Sequence, residues 1–187
     1  MTELIKFIDN FQKLDPETEL AIKRYFVKET LKKNEFIIEE GEICSKVYFI
    51  QSGLVRRFYI KDGQDITEWI YHSNQWITSL SSFFEQKPSF EYLQACEETI
   101  MYSLSYSDEQ KLLEYPLFSK FHIKQLRLYL AKLNEFHHLY KLMNAHEKYS
   151  YLLTYFPEII QKAKLKYIAS LMDISQETLS RIRASIN

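Results

Sequence analysis

The chain has 187 residues, 46% of them hydrophobic, and a formal net charge of −1, so it can bury a real core with room for one large domain and a small one, and disorder is excluded. Cys44 and Cys96 lie far apart without metal-ligand spacing, which rules out a disulfide framework or a thiolate cluster and leaves reduced thiols as the expectation. The opening MTELIKFIDNFQKLD carries charges throughout, and no apolar run reaches the length of a signal h-region or a membrane span, so a cytoplasmic protein with no membrane partner is expected.

In chain order, residues 2–11 read as a short amphipathic helix with Leu4, Phe7, Ile8 and Phe11 on one face. Asp15 and Pro16 read as N-cap and first-turn proline, opening a helix to about Lys28. The texture changes at Lys33. Gly41, Gly53 and Gly63 punctuate strand-like runs at 35–38, 46–50, 54–60 and 65–71, a spacing that predicts an antiparallel barrel or sandwich. Lys61-Asp62-Gly63-Gln64 is the clearest hairpin turn. Two further strands are expected at 92–96 and 99–104, turning at Glu97-Glu98, while 74–90 is less regular.

From Phe118 to about Met143 the pattern becomes a long helix. Leu126, Tyr129, Leu133, Phe136, Tyr140 and Met143 alternate steps of three and four, a heptad seam. Leu128, Leu130 and Leu139 widen that face enough to serve both the chain's own β-structure and a partner helix. Asn144 can cap a helix from Ala145 to about Phe156, which makes Met143-Asn144 the expected hinge; Pro157 then ends or bends that helix.

The last stretch, LKYIASLMDISQETLSRIRASIN, carries the strongest functional signal. Leu165, Ile168, Ala169 and Met172 line one face of a short helix, Asp173-Ile174-Ser175 stops it, and Ser175 can cap a second helix whose first turn holds Glu177. Leu179, Ile182 and Ile186 then face inward while Glu177, Ser180, Arg181 and Ala184 face out. Two short helices with a small polar outer face and an arginine suit reading of the DNA major groove. The plainer reading is an all-α pair with Glu177 and Arg181 as a solvated i, i+4 pair. Charge is distributed unevenly: residues 141–187 hold seven Lys or Arg against four Asp or Glu, a surplus of three, so the remainder carries −4. A modest basic tail on an acidic body predicts weak non-specific DNA binding that fades with salt.

The segment IASLMDISQETLSRI is similar, position by position, to the DNA-reading helices of the Crp/Fnr superfamily of bacterial transcription regulators. Ser175, Glu177, Thr178 and Arg181 match the family pattern; Gln176 replaces a frequent arginine, and Asp173 stands where the turn glycine is usual. Residues NEFIIEEGEICSKVYFIQSGLVRRFYIKDGQDITEWIY resemble the family's cyclic-nucleotide-binding β-roll in their order of strand, glycine turn, Y-F-I-x-x-G and paired strands. The resemblance implies an α+β fold: an antiparallel β-roll (double-stranded β-helix) with N-terminal helices at 1–116, a dimerisation helix at 117–143 and an all-α helix-turn-helix DNA-binding domain at 144–187. The chain stops at Asn187, before the β-hairpin wing many members carry. It further implies a homodimer through Leu126, Tyr129, Leu133, Phe136 and Tyr140, with double-stranded DNA and RNA polymerase as partners. Base contacts fall to Gln176, Glu177 and Arg181, and phosphate contacts to Lys166, Ser175 and Thr178.

The same resemblance places an effector pocket near Arg56, Thr78, Ser79 and Ser89. Members that bind cyclic nucleotides use a Gly-Glu pair and an Arg-Ser/Thr-Ala run there, and this chain has Thr78-Ser79 and Ser89-Phe90. A hydroxyl does not replace an arginine paired with a phosphate by two parallel bonds, so cyclic AMP in the known mode is not expected; a different small effector, or none, is. Arg56 and Arg57 share a strand, and alternation lets at most one reach inward. Two cysteines are too few for an iron–sulfur sensor, His72 at a strand end reads as a solvated or core histidine, and a cupin-like metal cluster has no His and Glu set, so no resident cofactor or metal is expected. No nucleophile, base and orienting group form a catalytic constellation, so an enzyme is not expected. The competing class is a ligand-binding sensor that acts through protein contacts without specific DNA binding.

Overall fold

The computed structural model describes residues 1–186. Helix α1 (Thr2–Phe11) buries Leu4 and Ile8 completely. Helix α2 (Pro16–Tyr25) starts where the Asp15 carboxylate accepts the Thr18 N–H at 2.8 Å and Pro16 occupies the first turn. It ends short of the expected Lys28, because Val27–Leu31 is strand β1, paired antiparallel with a strand at the far end of the roll. Long-range pairing of this kind leaves no local signal.

Seven more strands follow: β2 (Phe36–Ile38), β3 (Lys46–Ser52), β4 (Val55–Lys61), β5 (Gln64–Tyr71), β6 (Trp76–Ile77), β7 (Tyr92–Ala95) and β8 (Thr99–Ser105), with a six-residue helix α3 (Leu80–Glu85) before β7. They form two four-stranded antiparallel sheets ordered β1-β8-β3-β6 and β2-β7-β4-β5. Tyr48, Ile50 and Met101 of the first sheet meet Ile38, Val55, Tyr71 and Leu93 of the second in one core. The central strands are covered on both faces: Tyr48 and Ile50 of β3 enter this core, while Phe49 between them packs with Leu4 and Ile8 of α1. The sharpest turns have a steric cause. Asp62 and Gly63 both adopt positive φ (53° and 74°), the two-residue geometry that suits the twist of the β4–β5 hairpin. Gly53 joins β3 to β4 at φ 107°, and a Cβ there would lie 2.7 Å from the Thr99 Cα.

The chain then turns helical. Helix α4 (Tyr106–Leu113) is capped by Ser105, whose hydroxyl accepts the Asp108 N–H at 3.1 Å. Helix α5 (Pro116–Leu142) buries Phe118 and Phe121 against α1 and the roll. It stops where Asn144 opens helix α6 (Ala145–Tyr155) with a reciprocal capping box: the Glu147 N–H donates to Asn144 at 3.1 Å and the Asn144 N–H donates to Glu147 at 2.8 Å. Pro157 begins a separate helix α7 (Pro157–Lys162). Two last helices, α8 (Leu165–Leu171) and α9 (Gln176–Ile186), complete the described residues. The molecule is thus α+β, with antiparallel sheets and one long helix. No described helix is long and apolar enough to cross a membrane.

Gly53→Ala should cost about 3 kcal/mol in denaturant-induced unfolding, combining positive φ with backbone overlap. Gly63→Ala, whose added Cβ would meet nothing within 4 Å, should cost only about 1 kcal/mol.

Candidate functional site

Helices α8 and α9 meet through buried Ile168, Ala169, Leu171, Leu179 and Ile182, which share a core with Leu152 and Ile159. Their connection is tight. The Asp173 and Ile174 N–H groups return to the Ser170 and Ala169 carbonyls at 3.0 Å each, and Asp173 takes a left-handed φ of 57°. Aspartate tolerates that conformation better than most residues, so the turn forms without glycine. Ser175 caps α9 by accepting the Thr178 N–H at 3.1 Å. With the apolar side committed to the core, Gln176, Glu177, Ser180, Arg181, Arg183 and Ala184 are exposed along the outer face. Lys166 is exposed on α8, and Thr178 is half-buried at the start of α9, its Oγ1 3.4 Å from Arg181 Nη2. Arg183, absent from the sequence-derived candidates, joins this surface because one helical turn separates it from Ser180.

A buried cation fastens this pair to the roll. The Arg56 guanidinium lies with its Cζ 3.6 Å from the Phe58 ring centre and 4.0 Å from that of Tyr167 on α8. Its Nε and Nη2 both donate to Gln94 Oε1, at 3.0 and 2.9 Å, and Nη1 pairs with Asp65 at 2.6 Å. The Thr67 N–H donates to Ser170 Oγ at 2.9 Å beside it. Only guanidinium is planar enough to stack on two rings and still donate in its plane. Arg56 therefore faces α8 and does not line a ligand cavity, whereas Arg57 is the strand's inward arginine. It pairs with Glu68 at 2.9 Å and Glu91 at 3.5 Å. The register of β4 decides which arginine points which way, and sequence alternation fixed only that they differ.

The other expected effector residues are placed among themselves. Ser79 and Ser89 hydroxyls lie 3.0 Å apart, Ser89 donates to the Glu91 carbonyl at 2.8 Å, and Thr78 donates to the Lys46 carbonyl at 2.9 Å. All three are buried. A phosphate brought here would meet the Glu91 carboxylate and an arginine already neutralised by two acids, which opposes cyclic nucleotide binding in the known mode.

A cavity of about 110 Å³ lies instead between the roll, α3, α4 and α5, and of those four residues only Thr78 touches it. Glu109 and His122 line it, with Glu109 Oε1 3.8 Å from His122 Nδ1. Burial pushes the Glu109 carboxyl up to about 7 and moves the His122 imidazole below its ordinary range.

Helix α5 divides the expected dimer seam. Phe136 packs edge-on against Trp69 at 4.8 Å and stacks with Tyr140 at 4.7 Å, the Tyr140 hydroxyl donates to the Leu171 carbonyl at 3.4 Å, and Tyr129 lines the cavity. These three face their own chain. Leu126 and Leu133 are exposed, together with Ile123 and Leu130, and the exposed set 123, 126, 130, 133 is itself a three-four alternation. The helix is apolar around most of its circumference, so periodicity alone marks two overlapping seams and does not tell which one the roll covers.

Residues 28–115 match the model of the cyclic nucleotide-binding domain family. The fold extends further in solved structures. The global regulator CLP of Xanthomonas campestris, described as c-di-GMP-responsive and as linking cell–cell signalling to virulence gene expression, superposes with a TM-score of 0.66 at 15% identity, over 92% of this chain and 91% of that one. The catabolite activator protein of Thermus thermophilus gives 0.57 at 22% identity, over 94% and 85%. A cyclic nucleotide-binding domain from Methylobacillus flagellatus gives 0.64 at 19%, over 76% and 84%. No curated protein matches the sequence. The similarity thus covers the roll by family model and nearly the whole chain by fold.

Arg56→Lys keeps the charge and loses both ring faces and the paired donation to Gln94, so it should destabilise the protein by about 2 kcal/mol in denaturant melts. Arg127→Lys on the exposed side of α5 should leave stability unchanged within about 0.5 kcal/mol. Because Glu109 binds its proton more tightly folded than unfolded, its stabilising contribution is whole below the ordinary carboxylate range and lost as pH rises to about 7. Glu109→Gln escapes that loss. Its stability relative to the parent should rise by up to about 3 kcal/mol between roughly pH 4.5 and 7.5, read from melts at each pH.

Proposed function

We propose that the protein is a homodimeric, sequence-specific DNA-binding transcription regulator of Crp/Fnr type. The observation that carries this reading is the outer face of α9: Gln176, Glu177 and Arg181 exposed together at the start of a capped helix whose opposite side is locked in a core. Arg181 donates to guanine O6 and N7, Glu177 accepts from a cytosine amino group, and Gln176 pairs with adenine or guanine. Lys166, Ser175 and Thr178 meet phosphates, Ser175 through the hydroxyl that also caps the helix.

In this reading residues 1–116 form the effector domain, 117–143 the dimerisation helix and 144–187 the helix-turn-helix domain. The seam between subunits runs through Ile123, Leu126, Leu130 and Leu133, which are exposed in the single chain along with Leu128, Leu139 and Leu142. A two-fold dimer carries its reading helices to half-sites about one helical turn, roughly 34 Å, apart. RNA polymerase is the partner through which bound DNA is acted on, and the effector is a small molecule other than cyclic AMP. It shifts the DNA-competent arrangement only by its differential affinity for it. No catalytic step belongs to this function.

The Arg56 clasp favours a second reading. It holds α8 on the roll, with Tyr167 under the guanidinium and Ser170 bonded to β5, an arrangement suited to a sensor that acts through protein contacts. Selection of binding sites from random duplex DNA across a salt series separates the two, since only the regulator gives a specific-to-non-specific ratio of about 10³ or more.

On the selected site, Arg181→Ala should lose about 1–3 kcal/mol of discrimination at one base pair per half-site. Lys166→Ala should weaken all sequences alike and reduce the salt slope by about one per subunit. Footprints unchanged in Arg181→Ala, or a sequence-selective loss in Lys166→Ala, contradict these roles.

A further inference from the structure

The cavity between the roll and α5 has one carboxyl in its lining and no Lys or Arg. That carboxyl belongs to Glu109, which is only 3% exposed. Among the described residues it accepts no hydrogen bond, and its one ion-pair neighbour is His122, whose Nδ1 stands 3.8 Å from Oε1. Trp76 Nε1 and Gln125 Oε1 in the same lining are sealed from solvent, but neither Glu109 oxygen is. On a residue so deeply buried, the surface left open is the part that lines the cavity.

A buried carboxylate without a counter-charge is costly, and a cation placed beside it offsets that cost. The rest of the wall suits the same guest. Phe83, Phe118, Phe121 and Tyr129 line the cavity, and aromatic rings attract cations as well as covering apolar surface. An anion meets the Glu109 carboxyl with no Lys or Arg to balance it, and a purely apolar guest leaves that carboxyl unpaired. A primary ammonium both neutralises the carboxylate and donates to it. An apolar cavity of about 150 Å³ accepts benzene, so about 110 Å³ admits a chain of about four carbons and a nitrogen. Phe84 and Leu126 line the cavity and are also exposed, which marks its mouth. We propose that this cavity binds a small primary alkylammonium ion, its nitrogen on the Glu109 carboxylate and its chain among Phe83, Phe118 and Phe121.

The site is distinct from the cluster of Ser79, Ser89 and Arg57, none of which lines the cavity. Its walls come from the roll, α3, α4 and α5, so it stands whether or not the C-terminal helices engage DNA.

n-Butylamine, 1-butanol and butyrate are close in size and differ in charge. Titration calorimetry on the full chain, at about pH 8 in amine-free buffer, should show n-butylamine binding saturably, one per chain, with a dissociation constant of about 1 mM or tighter. 1-Butanol and butyrate should bind at least about tenfold more weakly. The ionised carboxyl is the binding form, so n-butylamine affinity should fall about tenfold from about pH 8 to about pH 6. The other titratable groups in the lining are Tyr71, Tyr129 and His122, and protonation of His122 acts in the same direction by adding a like charge beside the guest. Glu109→Gln, checked for the parent circular dichroism, should weaken n-butylamine at least about tenfold and leave 1-butanol unchanged. If that variant fails to fold, the pH series and the three-ligand comparison decide. Absence of saturable n-butylamine binding, equal binding of 1-butanol or butyrate, affinity indifferent to pH, or full affinity in folded Glu109→Gln overturns the assignment.

Discussion

A buried guanidinium is the constraint on which the arrangement of this molecule depends. Taking Arg56 out of water is costly, and the cost is offset because all three nitrogens donate and both faces of the plane are used: Gln94 and Asp65 at the edge, Phe58 and Tyr167 above and below. Three of those partners lie on the roll and one on α8. The contact is satisfied only when the C-terminal helices sit on the β4–β5 face, and the apolar residues Leu54, Ile70 and Cys96 of the roll complete the same core as Tyr167 and Ile168. Polar complementarity fixes the position, while apolar burial supplies most of the stabilisation.

That docking leaves two surfaces unfilled. The outer face of α9 is free because its inner face is consumed by Leu179 and Ile182. The stripe of α5 at 123, 126, 130 and 133 is free because Phe136, Tyr140 and Tyr129 have been taken by the chain's own aromatic residues and cavity. The proposed dimeric DNA reader requires both a polar helix face for the duplex and an apolar stripe for the second subunit. The cavity lies where α5 closes over the roll, with Gln125, Leu126 and Tyr129 in its lining.

Much of the framework was legible from local chemistry. Asp15-Pro16, Ser175 and the Asn144…Glu147 pair each begin a helix by satisfying orphan N–H groups within four residues, and Asp62-Gly63 turns a hairpin through its own backbone freedom. Strands β3, β4 and β5 were readable as runs set between glycine turns, although both faces of β3 and β4 are covered. Elements held only by distant partners were not: β1 depends on β8, β6 is two residues long, and α3 is six residues shaped by the roll around it. Among candidate site residues, the outer face of α9 could be read because helical period separates inside from outside within one element. The pocket could not, since its lining comes from β3, β5, β6, α3, β8, α4 and α5 at once.

By itself, then, the sequence determined most of the helices, a run of antiparallel strands ahead of them and the polar face of the last helix, because periodicity and capping act over a few residues. Only the tertiary structure decided that Arg56 faces α8 while Arg57 faces the core, which of two overlapping seams on α5 stays exposed, and that the cavity lies beside Glu109, Trp76 and Gln125. Strand register and helix rotation made those choices. Both are fixed by the simultaneous packing of segments far apart in the chain, for which no local pattern carries a mark.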